Sequence, residues 1–271
     1  MLKAVKRIVA IGVVLVGVAT PPVVMAHTPY IVPATFEPLR GGIVTLDAAF
    51  AEKFFVPEIA ISDAEFYVVN PDGKKSKVDS LYALASRVVL EHKLEQDGTY
   101  RFSTGLRTGR IFRVYEQDGK RKSLMNTKDK LPAGAILVEH FQTLTRSDTF
   151  VSKGAPNKKA LDAERKGLEL VPITHPNELF VGDEFAFAAL FNGKPLNKAE
   201  VDVYLAKYQF DMGKAQFTVR ADSSKKDGKL SFIPKQPGVY LLRVRHRTDA
   251  PQGSSVPVYS YTYSMVVEVV Q

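Results

Sequence analysis

Cysteine and tryptophan are absent from this chain of 271 residues, and histidine occurs only five times. Without cysteine there is no disulfide framework, no lipid-modified cysteine near the amino terminus and no thiolate metal site. The hydrophobic core alone must therefore hold the fold together.

The motifs of common catalytic sites are also missing. The sequence has no GxSxG, no HExxH, no phosphate-cradling glycine loop and no cysteine nucleophile. Asp and Glu are plentiful but scattered, so they predict no acid and base pair. The sequence therefore indicates a protein that is not an enzyme.

The longest apolar run lies at the start of the chain, in MLKAVKRIVAIGVVLVGVATPPVVMA. It extends from Ile8 to Ala19, follows a basic start and ends before Pro21-Pro22. Such a run is shorter than the roughly 20 residues of a membrane-spanning helix. We expect residues 1–26 to be a signal peptide cleaved after Ala26, which predicts periplasmic localisation and no membrane span after processing.

The basic residues are dispersed rather than gathered in one predicted patch. Loss of the signal peptide removes three of them and lowers the formal charge from +8 to +5. Others stand beside Asp-Gly pairs, as in Lys74-Lys75, Lys120-Arg121-Lys122 and Lys225-Lys226. We interpret these clusters as solvated turns and expect no nucleic-acid partner.

Short β-branched runs separated by turn dipeptides predict an all-β fold. The dipeptides are Asp72-Gly73, Asp97-Gly98, Asp118-Gly119, Asn192-Gly193 and Asp227-Gly228. This spacing favours β-sandwiches over βαβ units. We predict one sandwich domain over residues 27–151, a linker over 152–167 and a second sandwich over 168–271, of transthyretin-like or carboxypeptidase-regulatory-like type.

His92, His140 and His246 are predicted to lie on strands, and two of them are candidate metal ligands. Strand alternation places His246 on the face of Tyr240, Leu242 and Val244, and therefore inward near a strand end. His140 shares a face with the apolar residues two and four positions before it. A core or rim histidine with a hydrogen-bond partner is the favoured interpretation of each one, and His246 is the first choice as a metal ligand, with His140 second.

His27 is different because the expected cleavage makes it the first residue. It would then carry a free α-amine, whose ordinary pKa is about 8, beside its imidazole. Together with one further imidazole these donors would form a nitrogen-rich site that suits copper or nickel. The alternative is a terminus left wherever the peptidase cut, with no metal function.

Several segments carry a family resemblance, which is strongest from Leu168 to Gln271. The initial AH, LELVPITHPNELFVGDEFAFAALFNGKPLNKAEVDVY, QPGVYLLRVRH and YSYTYSMVVEV resemble the NikM-like proteins. That resemblance implies an exported two-part β protein of nickel or cobalt uptake, in which the family's amino-terminal and late-strand histidines fall on His27 and His246.

These observations lead to one main hypothesis and two alternatives. The main hypothesis is a periplasmic protein that binds nickel, cobalt or copper through His27, His246 and, as a further candidate, His140, and presents the ion to a membrane importer. A cell-envelope scaffold or docking protein without metal is the first alternative. An oxidative copper enzyme or a sugar-binding protein is the second, and the absence of tryptophan weighs against it.

Overall fold

The computed structural model describes residues 27–38, 41–126, 128–206, 217–220 and 225–271. The expected signal peptide, residues 1–26, lies outside the described residues. The described part is built almost entirely of β-strands with one short 3-10 turn, Lys159–Leu161, which confirms the predicted all-β sandwich fold. None of the described residues form a helix long and apolar enough to cross a membrane.

The described residues form nineteen strands, β1 to β19 in chain order. In the first part of the chain they are β1 Thr28–Pro33, β2 Ile43–Ala51, β3 Ile59–Ala60, β4 Tyr67–Val69, β5 Lys75–Ser76, β6 Ser80–Ala83, β7 Val88–Lys93, β8 Gly98–Ser103, β9 Arg107–Gln117, β10 Lys120–Leu124 and β11 Ile136–Lys153. In the second part they are β12 Leu168–Pro172, β13 Phe185–Phe191, β14 Lys194–Pro195, β15 Glu200–Leu205, β16 Phe217–Arg220, β17 Lys229–Phe232, β18 Gly238–Asp249 and β19 Val258–Val269.

The strands form three sheets. A five-stranded sheet has the order β1-β2-β7-β6, with β3 on β2, and a four-stranded sheet has the order β12-β13-β14, with β17 on β13. The third sheet has ten strands, in the order β16-β15-β18-β19-β11-β8-β4-β5, with β9 and β10 joined to β11. Strand β11 lies at its centre, parallel to β19 and antiparallel to β8 and β9.

The two faces of the ten-stranded sheet build different cores. On one face, Val151 of β11 packs with the five-stranded sheet around Ile31 and Leu46. On the other face, the adjacent Phe150 packs with the four-stranded sheet around Phe185. Because neighbouring side chains on a strand point to opposite faces, β11 contributes to both cores. The ten-stranded sheet is therefore the middle of three layers.

The segment predicted as a linker, residues 152–167, contains the end of β11 and the 3-10 turn. The ten-stranded sheet continues on both sides of this segment. The exact domain boundaries and the transthyretin-like topology of the second half stay predictions.

Three of the five turn dipeptides connect paired antiparallel strands, whereas Asp97-Gly98 and Asp227-Gly228 lie at connections between strands of different sheets. Asp118 and Gly119 have φ angles of 54° and 69°, and Asn192 and Gly193 have φ angles of 50° and 75°. Two successive positive φ angles give the tight turn that matches the twist of antiparallel strands. These turns connect β9 to β10 and β13 to β14.

Candidate functional site

His27 lies directly before β1, at a point fixed by the pairing of β1 with β2. Thr28 is opposite Ala51 in the antiparallel register. This register brings His27 beside Glu52, the residue that follows β2. Strand β3 also pairs with β2, which brings Glu58 to the same place.

The imidazole of His27 lies between these two carboxylates. Its Nε2 is 3.1 Å from Oε2 of Glu58, and its Nδ1 is 3.7 Å from Oε1 of Glu52. The other oxygen of Glu58 accepts a hydrogen bond of 2.8 Å from the backbone N–H of Glu52. About one-third of the His27 side chain is exposed, at 32%. The ring is thus held in place but remains open to solvent.

The backbone of β1 is anchored to the ten-stranded sheet by side chains of that sheet. The N–H of Ile31 donates to Oγ of Ser147, and Oγ of Ser264 donates to the carbonyl of Pro29. Nη1 of Arg243 donates to Oγ1 of Thr28 at 3.1 Å. These bonds fix the direction in which the residue before β1 enters the structure.

His246 lies on β18 with its side chain turned away from β1. Arg243 reaches Thr28, so alternation places His246 on the opposite face of the ten-stranded sheet. There its ring packs on Phe191, with centroids 4.7 Å apart, next to Tyr261 on the paired strand. Burial lowers the pKa of His246. The inward orientation expected from the sequence is present.

The structure does not bring His27 and His246 together. The middle sheet separates them, so their nitrogen atoms do not converge on one ion. The strand pattern correctly indicates which way His246 points, but it does not show that the amino terminus crosses the other face. A metal site shared by these two histidines is therefore not formed.

His140 is distant from both of these residues. It lies on β11, opposite Arg113 of β9. His246 pairs with Tyr261 of β19, and Tyr261 pairs in turn with Leu144 of β11, so Leu144 is the residue of β11 that is level with His246. Four residues of strand separate His140 from Leu144, or about 13 Å. Within the described part of the chain, no group of three or more His, Asp or Glu side chains is arranged to hold a metal ion.

A buried group of charged side chains lies on the same face as His246. Nη2 of Arg146 is 2.6 Å from Oδ2 of Asp148 and 3.4 Å from Oε1 of Glu164. Arg101 and Lys75 also contact Glu164, each at 2.9 Å. Burial favours the neutral carboxyl, but Arg146 and Arg101 keep the pKa of Asp148 below its usual value.

This group was not among the residues that we singled out from the sequence. A signal was present, because Arg146 and Asp148 interrupt the buried face of a long strand with charge. Arg146 and Glu164 line the wall of an open cleft of about 810 Å³, which is bordered by Phe66, Tyr67 and Lys77.

The fold and the His27 site together define the class of the protein, a layered β-sandwich protein whose expected mature terminus lies between two carboxylates. The chain belongs to the family described as a domain of unknown function, DUF4198, whose model matches residues 24–248. The matched region includes His27, His140 and His246.

Further comparisons add no function. The comparison with curated proteins gives no match. Among solved structures, the D0-D1 domain of Intimin aligns at 12% identity over 89% of this chain and 97% of that chain, with a TM-score of 0.22. A marsupial T cell receptor aligns at 11% identity over 90% of this chain and 72% of that chain, with a TM-score of 0.22. The adhesin InvE of Yersinia pseudotuberculosis aligns at 10% identity over 88% of this chain and 58% of that chain, with a TM-score of 0.20. At these TM-scores the alignments carry no argument about function.

Proposed function

We propose that the processed protein binds a divalent transition-metal ion at its amino terminus. The observation that carries the proposal is the placement of the His27 imidazole between Glu52 and Glu58. Cleavage after Ala26 would release an α-amine beside the same ring. The donors are then the amine, Nδ1 of His27 and a carboxylate oxygen of Glu52, and His246 and His140 take no part.

The separation of Nδ1 and Glu52 suits a shared ion. The two atoms are 3.7 Å apart, which is too long for a hydrogen bond. Metal bonds to nitrogen and oxygen are about 2.0–2.2 Å long, so an ion fits between atoms at this separation. The α-amine belongs to the same residue as Nδ1 and closes a chelate ring with it.

Glu58 has a positioning role. A carboxylate can only accept a hydrogen bond, so Nε2 of His27 must carry the hydrogen that points to Glu58. The lone pair of the neutral ring then lies on Nδ1, where it can bind a metal. Carboxylates that hold the outer nitrogen of a metal-binding histidine orient the ring in this way and raise its basicity.

The donor set favours particular metals. Two nitrogen donors and one carboxylate suit copper(II) and nickel(II) better than calcium or magnesium. The resemblance to the NikM-like proteins supports nickel or cobalt as the ion that is carried. We propose a periplasmic carrier that performs no catalysis and presents the ion to a membrane importer.

Isothermal titration of the processed protein with copper(II) and nickel(II) tests the proposal. We expect one ion per chain, and His27→Ala should abolish this binding. Glu58→Gln should weaken binding by about 10-fold or more, because the ring loses its orienting partner. Glu37→Gln is the matched control, since Glu37 is exposed and lies away from His27.

A second variant separates the amine from the ring. A chain that keeps Ala26 in front of His27 retains the imidazole and both carboxylates but has no α-amine on His27. We expect it to bind copper(II) at least about 100-fold more weakly, since the chelate is lost. Equal affinity of this variant and the processed protein would refute the proposed site, as would an intact mass that starts at another residue.

A further inference from the structure

A three-stranded ribbon extends the ten-stranded sheet at one end. It is formed by β10, β9 and the first residues of β11, and we call residues 107–140 the arm. Strand β9 pairs with β10 on one side and with β11 on the other, whereas β11 meets β19 only from Phe141 onward. Within the described ranges of the chain, residues 136–140 therefore have a strand neighbour on one side only.

The arm carries a large part of the positive charge of the protein. It contains eight Lys or Arg residues and four Asp or Glu residues, a balance of +4 out of +8 for the whole chain. The residues Lys120-Arg121-Lys122, expected at a solvated turn, are exposed and begin β10 directly after the turn at Asp118-Gly119. Lys128 and Lys130 follow in the connection between β10 and β11.

Five basic side chains of the arm are exposed and unpaired in the part of the chain that the structure describes. They are Lys120, Arg121, Lys122, Lys128 and Lys130. By contrast, Arg113 is used internally, because its Nη2 donates to the carbonyls of Asn126 and Asp129.

Exposed aliphatic side chains lie at the same end of the arm. Ile136 is 70% exposed, Leu137 44% and Val138 40%. In the strand register, Arg121 is opposite Glu116, which is in turn opposite Ile136. The basic strand and the aliphatic strand are thus two strand spacings apart, or about 10 Å.

We propose that the tip of the arm, residues 116–122 and 136–138, docks onto an anionic lipid surface. Lysine and arginine are attracted to acidic headgroups, and neighbouring aliphatic side chains can enter the boundary between headgroups and acyl chains. The lysine and arginine stems are long enough to keep their charges at the headgroups while the apolar residues go deeper. The tip thus combines basic side chains with exposed aliphatic side chains, as binding to an acidic lipid surface requires.

A nucleic acid fits the tip less well. Binding to single strands uses exposed aromatic rings on which bases stack. Phe112 of the arm stacks on Phe141, the next residue of β11 after the arm, with ring centroids 5.4 Å apart. Arg247 covers the ring of Phe141 at 4.7 Å. The exposed apolar side chains at the tip are aliphatic.

Co-sedimentation of the processed protein with vesicles tests this docking. One vesicle is phosphatidylcholine alone, and the other contains about one-third phosphatidylglycerol. We expect binding to the acidic vesicle only, and weaker binding as salt is raised. Replacement of Lys120, Arg121 and Lys122 by Glu should lower the affinity by about 100-fold or more, since each basic residue contributes about fivefold.

The matched control changes the same number of charges elsewhere. Lys194, Lys198 and Lys235 are exposed and belong to the second half of the chain. Their replacement by Glu should leave most of the binding intact, so that the arm rather than net charge is tested. Ile136→Ser with Leu137→Ser should weaken vesicle binding without changing its salt dependence.

Other results would overturn the proposal. These are equal loss of binding in the two charge-reversed variants, and no difference between the two vesicles. A third is failure to bind acidic vesicles together with tight binding of an oligonucleotide or an acidic protein. Self-association that is lost in the Ile136→Ser and Leu137→Ser variant, without vesicle binding, would assign the tip to a second copy of this chain.

Discussion

Arg146 and Asp148 form an ion pair on one face of β11, with Nη2 2.6 Å from Oδ2 and with side chains only 2% and 1% exposed. Tyr263 completes the pair, because its hydroxyl donates to the same carboxylate at 2.9 Å. The pair lies between the middle sheet and the segment that carries Glu164. A charged cluster therefore occupies a place where a sandwich usually has an apolar core.

Removal of one member of this pair should be costly. Arg146→Met leaves Asp148 buried without its main partner, and we expect a loss of about 3–5 kcal/mol in the free energy of unfolding. Urea denaturation measures this loss. Arg220→Met is the control, because the Arg220–Glu200 pair is mostly exposed, at 67% and 61%, and exposed pairs contribute about 1 kcal/mol or less.

The pair also predicts non-additive effects. The double variant Arg146→Met and Asp148→Leu removes both charges of the pair, so neither is left buried without the other. It should be more stable than Arg146→Met alone. A double variant that is as unstable as the sum of its two single variants would contradict this account of the cluster.

Acid should weaken the cluster through Glu164. Burial acts to raise its pKa, but Arg146, Tyr67 and Lys75 hold the pKa below its usual value of 4.5. A lowered pKa in the folded state gives stability that is present above pH 4.5 and is lost as pH falls through the folded pKa. Melting temperature measured against pH should therefore fall more steeply in this range for the natural protein than for Glu164→Gln.

We expect protonation of His175 to cause a separate loss of stability, at a higher pH than the loss through Glu164. Its Nε2 lies 3.0 Å from the carbonyl of Asn157, and its Nδ1 accepts the N–H of Asn177 at 3.2 Å. Protonation of Nδ1 removes that acceptor, and burial lowers the pKa of the ring below 6.5. Stability is thus full above pH 6.5 and falls as pH drops through the folded pKa.

Unfolding free energies at several pH values test the role of His175. We expect His175→Gln to lose stability at neutral pH but to show a smaller further loss between pH 6.5 and the range where carboxylates titrate. His140→Gln is the control, because His140 is only partly buried in the arm. An unchanged pH profile in His175→Gln would show that another group causes the loss.

Two glycines with similar backbone angles should respond differently to substitution. Gly105 and Gly119 have φ angles of 66° and 69°, so alanine is strained at both, by about 1–2 kcal/mol. A Cβ at Gly105 would lie 2.7 Å from the backbone oxygen of Glu65, whereas a Cβ at Gly119 meets nothing within 4 Å. Thermal unfolding should show a clearly larger loss for Gly105→Ala than for Gly119→Ala.

Local features of this protein follow directly from its sequence. The positive φ angles at Asp118-Gly119 and Asn192-Gly193 depend on the few residues that tolerate them, so the hairpins could be predicted. The inward direction of His246 follows from strand alternation alone. These properties involve neighbours in the chain, and short-range sterics determine them.

The assembly of the candidate site was decided by tertiary structure. Glu52 and Glu58 reach His27 because β1 pairs with β2 and β2 pairs with β3, and no sequence spacing specifies that register. The same holds for the separation of His27 from His246, which depends on the face of the middle sheet that β1 covers. Alternation shows that successive side chains of a strand point to opposite faces of the sheet. Only the packing of strands that are distant in the sequence determines what each face contacts.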